Sequence, residues 1–160
     1  MRLVIGIDPG ITGAVGWMTA AEAHVDDMPT MAAGEARGSI RRQVNPAALA
    51  SMLRNIMVPE GRDETMVVLE RADGYIDNKA ACFSMGNSYG CCRGVVAALG
   101  LSLVVTRAQD WKRHYHLSRD KDQARRRAIE LYPTLELGLK KHHNRAEAIL
   151  IARYGWEELR

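Results

Sequence analysis

No stretch of this chain approaches the roughly 18 to 20 uninterrupted apolar residues that a bilayer-spanning helix needs, so no membrane-spanning helix is expected. Cysteine is scarce: Cys82, Cys91 and Cys92 are all there is, an odd number without metal-ligand spacing. That count argues against a disulfide framework and points to packing residues on a helix. Neither a signal nor a transit peptide precedes the first apolar run, so a protein that works in the cytoplasm, or inside the compartment that makes it, is expected. What is present is ordinary globular material, 47% hydrophobic and 26% charged over 160 residues, enough for one domain spanning 1–160 with a real core. Charge is mild in total and uneven along the chain. Between residues 107 and 145 eleven lysines and arginines face five acids, a local surplus of +6 in a chain whose formal total is +3. Such a bias reads either as a solvated helix face or as a surface for a polyanion, of which nucleic acid is the commonest.

The N-terminus organises the rest. Arg2-Leu3-Val4-Ile5-Gly6-Ile7-Asp8-Pro9-Gly10 is an apolar run closed by a turn, which predicts a buried strand with Asp8 at its end. Asp8 either opens the turn by bonding the backbone after it or, as a charge beside a core, requires a partner or a metal. Thr12 to Thr19 and Glu22 to Met28 predict two further strands of an antiparallel meander, and Met28 to Val44 reads as a loop holding Arg37, Arg41 and Arg42. Asn45-Pro46 caps a helix whose apolar residues Leu49, Met52, Leu53 and Ile56 recur at helical steps up to Pro59.

Glu64 to Glu70 is a second buried strand that finishes in an acid. Glu70 alone can also be read as a salt-bridged cap. Side by side at about 4.8 Å, however, two strand ends bring both carboxylates within reach of one cation. After a polar loop from Arg71 to Lys79, Ala80 to Leu99 is helical and carries Gly86, Gly90 and Gly94 at four-residue steps. Glycine costs about 1 kcal/mol in a helix, so the stripe predicts a close neighbour, either another element of the fold or DNA near Phe83, Asn87 and Tyr89. A strand over Leu101 to Thr106, a short basic helix at Gln109 to Arg113 docked by Trp111, and a helix over Arg119 to Leu131 capped by Ser118 follow. Lys121 sits in that helix's first turn, where the dipole disfavours a cation, which hints at phosphate. Arg41, Arg42, Lys112, Arg113, Lys121 and Arg125 complete the candidate DNA contacts. The last helix opens at Lys140 and aligns His143 and Glu147 four apart, with Asn144 three before Glu147, while Ala146 and Ala148 allow it to approach the sheet.

Three strands, helix, strand, helix, strand and helices, with VIGIDPGITGAVG, VVLE, GNSYGCCRGVVAALG, QDWK and HHNRAEAILIARYG in that order, resemble the ribonuclease H-like fold of RuvC-type Holliday junction resolvases. The fold class implied is α/β, a mixed five-stranded sheet with helices on both faces. Within that family the chain is most similar to the plant chloroplast resolvases and their phage and bacterial relatives, which share the basic loop, the WK pair and a histidine four residues before a glutamate. The resemblance implies that Asp8, Glu70, His143 and Glu147 are catalytic and bind two Mg2+ ions, with Mn2+ as a substitute, and that a homodimer makes paired symmetric nicks in four-way junction DNA, leaving 5′-phosphate and 3′-hydroxyl ends. RuvC proteins usually carry Asp or His where this chain has Asn144, so His143 is expected to serve in its place. Lys121 resembles the family's phosphate-contacting lysine. No nucleotide cofactor is expected, because an actin-like kinase built on GIDPG needs two subdomains that 160 residues do not supply. The competing readings are an inactive junction-binding protein and a ribonuclease H-like nuclease acting on RNA or other branched nucleic acids.

Overall fold

The first strand, β1 (Leu3–Asp8), is buried along its first five residues, as a central strand must be when both faces are covered. The structure, a computed structural model, describes residues 2–36, 39–57, 60–72, 78–118 and 120–159. β2 (Ala14–Met18) and β3 (Ala23–Asp27) follow antiparallel, while β6 (Thr65–Glu70) and β7 (Ser102–Thr106) add in parallel on the other side. The order is β3-β2-β1-β6-β7, the mixed five-stranded sheet expected from the sequence.

Side-chain alternation divides the core. Leu3, Ile5 and Ile7 of β1 and Val67 and Leu69 of β6 pack with Leu49 and Leu53 of α1 (Pro46–Met57) and with Cys92 and Val96 of α2 (Lys79–Ala98). On the opposite face Val4, Met66 and Val68 meet Trp111 of α3 (Ala108–His114), Ala124 and Ala128 of α4 (Lys121–Leu131) and the apolar residues of α5 (His143–Glu158). Helices therefore cover both faces. The helix starts follow capping logic: Asn45 Oδ1 accepts from the Ala48 amide with Pro46 next in line, and Asn78 Oδ1 accepts from Ala80 and Ala81. α4 is capped by Asp120, which accepts from the Asp122 amide, and not by Ser118; Ser118 Oγ instead accepts from the Asp120 amide.

One expectation is corrected. Met28 to Val44 reads as a loop, yet β4 (Thr30–Ala36) and β5 (Ser39–Val44) pair as a separate antiparallel hairpin that lies against α2. Alanine, glycine and arginine supply no apolar alternation there, so the pairing leaves no period-two signal.

The last helix is seated by glycines. Gly6 and Gly16 are paired across β1 and β2. A Cβ on Gly6 would lie 2.3 Å from the Ala148 carbonyl oxygen and the Ala152 nitrogen, and one on Gly16 would lie 2.7 Å from the Ile149 nitrogen. The helix backbone thus rests directly on a strip of sheet that has no side chains. By contrast, Cβ atoms on Gly86, Gly90 and Gly94 would meet nothing within 4 Å, so among the described residues no element occupies the stripe that the sequence marks as crowded.

Candidate functional site

Asp8 and Glu70 occupy the carboxyl ends of neighbouring parallel strands. Ile7 is paired with Leu69, so one further residue along both strands brings the acids level. Alternation points them to the face covered by α5, because Val4 and Gly6, the even-numbered residues of β1, are on that side. α5 is held there by the glycine strip, and Glu147 immediately precedes Ala148, the residue that touches Gly6. Three carboxylates far apart in sequence therefore belong to one end of the sheet.

α3 ties them together. The Trp111 indole Nε1 donates to Glu70 Oε2 at 2.7 Å, with the tryptophan wholly buried. Its neighbour Lys112 brings its ammonium 2.9 Å from Glu147 Oε1 and lies over the Trp111 ring at 5.0 Å. That approach has the distance of an ion pair but not the direction of a hydrogen bond. Glu147 Oε1 accordingly remains a buried acceptor without a hydrogen-bond partner. An acceptor of this kind is costly unless a cation meets it. Asn144 Nδ2 donates to the Thr12 carbonyl in the turn after Asp8, which ties the start of α5 to the β1–β2 connection. Cys92 lies under the same region, and burial first, then the charges of Cys91 and Asp8, push its thiol up to about 12.

His143 is placed differently from the acids. Its Nδ1 is 3.0 Å from the Lys140 carbonyl, and it opens on a cleft lined by Asp120, Asp122 and Lys140. A 3-10 turn over Lys140–His142 sets this register, so α5 begins at His143 and not at Lys140. Among the described residues no three histidines, cysteines, aspartates or glutamates stand close enough together to hold a metal ion, Glu70 being engaged by Trp111 and Glu147 by Lys112.

Two basic openings flank the strand ends. One, of about 620 Å3 between the β4–β5 hairpin and α2, gathers Arg41, Arg42, Phe83 and Asn87 with Ile11 of the β1–β2 turn. Phe83 is 78% exposed there, an unusual position for a large ring. Arg42 also braces the hairpin through Thr30 Oγ1 at 2.6 Å. The other, of about 840 Å3, holds Lys112 and Arg113 with Arg71, Arg107 and His116, three residues that sequence reasoning did not single out. Two of them directly follow strand ends, Arg71 after Glu70 and Arg107 after Thr106, and that adjacency was the available signal.

Other expected contacts are elsewhere. Tyr89 packs against the core with the Arg93 guanidinium 5.6 Å from its ring centre. Arg125, expected on a DNA surface, is turned inward: it donates to Asp122 Oδ1 at 2.8 Å and to the Leu137 and Gly138 carbonyls at 3.2 and 3.1 Å, which fastens α4 to the following loop. The Lys121 side chain lies outside the described residues, as does Arg37.

No protein-family model matches the sequence, and no curated protein matches it. Solved structures do. RuvC of T. thermophilus in complex with Holliday junction substrate superposes with a TM-score of 0.60 at 13% identity, over 95% of this chain and 90% of that one. A second Thermus thermophilus RuvC structure gives 0.53 at 17% identity, over 94% and 90%. A Fowlpox virus resolvase complexed with Holliday junction DNA gives 0.46 at 10% identity over 98% of both chains. The chain has the ribonuclease H-like fold of RuvC. Among the described residues no helix is long and apolar enough to cross a membrane.

Proposed function

We propose that this chain is a metal-dependent, structure-selective endonuclease that resolves four-way DNA junctions by paired symmetric nicks, leaving 5′-phosphate and 3′-hydroxyl ends. The observation that carries the reading is the level placement of Asp8 and Glu70 at the ends of neighbouring parallel strands, with Glu147 on the helix seated over the same face and basic openings on either side. The RuvC fold supports it, as does the junction DNA bound to one RuvC neighbour. A nearer kinship with the chloroplast resolvases rests on the basic hairpin, the WK pair and the histidine four residues before Glu147.

The donor set fits Mg2+, or Mn2+ in its place. Both are hard cations that take carboxylate oxygens, and Glu147 Oε1 is a buried acceptor lacking a hydrogen bond. Asp8, Glu70 and Glu147 would hold the ions, and His143 would join them by turning from the Lys140 carbonyl. When bound, two such ions supply an activated water and stabilise the departing 3′ oxygen of an in-line displacement. The chain's own residues prepare the site. Trp111 fixes which oxygen of Glu70 faces outward, Asn144 ties the Thr12 carbonyl to α5, and Lys112 balances the charge of Glu147. In the hairpin opening, Arg41 and Arg42 meet backbone phosphates, Phe83 offers a stacking face and Asn87 an amide for a base edge.

Cutting two opposed strands needs two sites, so the working form is a homodimer. The open stripe of Gly86, Gly90 and Gly94 on α2 is the surface offered to the second copy, and the cytoplasm of a bacterium or a phage-infected cell is the setting. Incubating a synthetic four-way junction with Mg2+ tests the proposal: paired symmetric nicks support it, and a shifted but uncut band assigns a binding protein instead. Cleavage of RNA or RNA–DNA hybrid in preference to the junction would move the chain to another nuclease class. Asp8→Asn and Glu70→Gln should abolish cutting while junction binding holds or tightens.

A further inference from the structure

α3 ends in a way that glycine usually makes possible. The Leu117 amide donates to the Lys112 carbonyl at 2.8 Å and the His116 amide to the Arg113 carbonyl at 3.0 Å, the pair of bonds that closes a helix through one left-handed residue. That residue is His116, at φ 55°, and among the described residues it is the one non-glycine with positive φ. A side chain in this conformation is strained and persists where the surroundings impose it or the side chain is used. His116 lines the opening of about 840 Å3 at the carboxyl ends of β6 and β7, together with Arg71, Arg107, Lys112 and Arg113. Among the described residues four lining side chains are cationic and none is acidic. Asp110, next to the lining residue Gln109, is paired with Arg107 at 2.9 and 3.0 Å and does not itself line the opening. Lys112 belongs both to this opening and to the carboxylate site, through Glu147.

We propose that this opening is a phosphate subsite for the nucleotide adjoining the one at Asp8, Glu70 and Glu147, in which His116 donates to a phosphate oxygen and Arg113 pairs with it. The proposal rests on the nuclease reading for its substrate. The subsite itself does not need metal: a strand that reaches the acids continues past Lys112 into a chamber of nucleotide size lined by Arg113 and His116.

The test uses the full chain in EDTA, with 5′-phosphorylated dithymidine, the same dinucleotide without its terminal phosphate, and inorganic phosphate as probes. Binding is followed by calorimetry and by the His116 ring resonances. The phosphorylated dinucleotide should bind best and shift those resonances; inorganic phosphate binding equally well would reduce the site to an anion hole and overturn the nucleotide assignment. His116→Gly should lower affinity for the phosphorylated probe about tenfold, the scale of one charge-assisted hydrogen bond, while the thermal midpoint stays level or rises because glycine suits the backbone. Undiminished affinity in His116→Gly, or in Arg113→Ala, overturns the proposal. On junction DNA with Mg2+, both variants should raise KM and leave kcat within about twofold. A junction cut with unaltered KM sinks the subsite and spares the nuclease reading, whereas an uncut junction with intact probe binding does the reverse.

Discussion

The Lys112 ammonium stands 2.9 Å from Glu147 Oε1, with the lysine side chain 19% and the glutamate side chain 7% exposed. Both charges have given up most of their hydration, so each makes the other tolerable. Replacing Lys112 with methionine should therefore destabilise the fold by about 3–5 kcal/mol, and adding Glu147→Gln should recover most of that loss. Urea unfolding of the two single variants and the double closes the cycle; additive losses would show that the pair is not coupled. Under the metal reading, Mg2+ should raise the melting temperature of Lys112→Met more than that of the unaltered chain.

Trp111→Phe keeps a ring in the core but removes the N–H that holds Glu70 Oε2 at 2.7 Å. Leaving that acceptor without its donor should cost about 1–3 kcal/mol. Junction binding should be unaffected while the cleavage rate falls, because the loss is one of carboxylate orientation. Equal rates for the two proteins would remove Trp111 from the preparation of the site.

The two sets of glycines should respond in opposite ways to alanine. Gly6→Ala drives a methyl to 2.3 Å from the backbone of α5 and should destabilise by about 3 kcal/mol or more. Gly86→Ala meets nothing among the described residues and should stabilise an isolated copy by roughly 0.5–1 kcal/mol. If α2 is the dimer surface, the same change weakens association, which sedimentation velocity would detect as a larger monomer fraction.

Acid should loosen the junction of α3 with the end of α5. Burial raises Glu157, but hydrogen bonds from His114 and Tyr115 and the Arg153 guanidinium outweigh it and hold the carboxyl below its ordinary 4.5. A lowered carboxyl contributes stability that is complete above 4.5 and disappears as pH falls through the folded value. Asp27, lowered chiefly by its hydrogen bond from Arg145, acts in the same sense from 3.8 downward. Glu157→Gln should flatten the acid limb of a stability-against-pH curve, and an unchanged limb would place the acid sensitivity elsewhere.

Strand-end acids and helix periodicity were legible because they are local: Asp8 and Glu70 each close an apolar run, and Leu49 and Leu53 repeat at helical steps to the core. The hairpin from Thr30 to Val44 was not, since it packs on a helix with little apolar alternation of its own. Glycine spacing tells only part of the story for a related reason. Crowding at Gly6 comes from Ala148 and Ala152, more than 140 residues away, and nothing in a strand's sequence reports such a neighbour, while the visible stripe on α2 has no neighbour among the described residues, which leaves the DNA alternative for it. Helical spacing admitted both His143 and Asn144 beside Glu147. Which of them turns toward the Asp8 turn depends on the 3-10 start of the helix, a detail of backbone register that residue types do not encode.

The bare strip under α5 has a consequence for how such a chain can change over time. A seat formed by leaving side chains out cannot be adjusted by degrees, since even the smallest replacement inserts a whole methyl group between sheet and helix. The depth of α5, and with it the separation of Glu147 from the strand-end acids, is thus an all-or-none property. Lineages are free to repaint the basic openings residue by residue, but positions 6 and 16 must stay empty for the first and last segments of the polypeptide to remain one device.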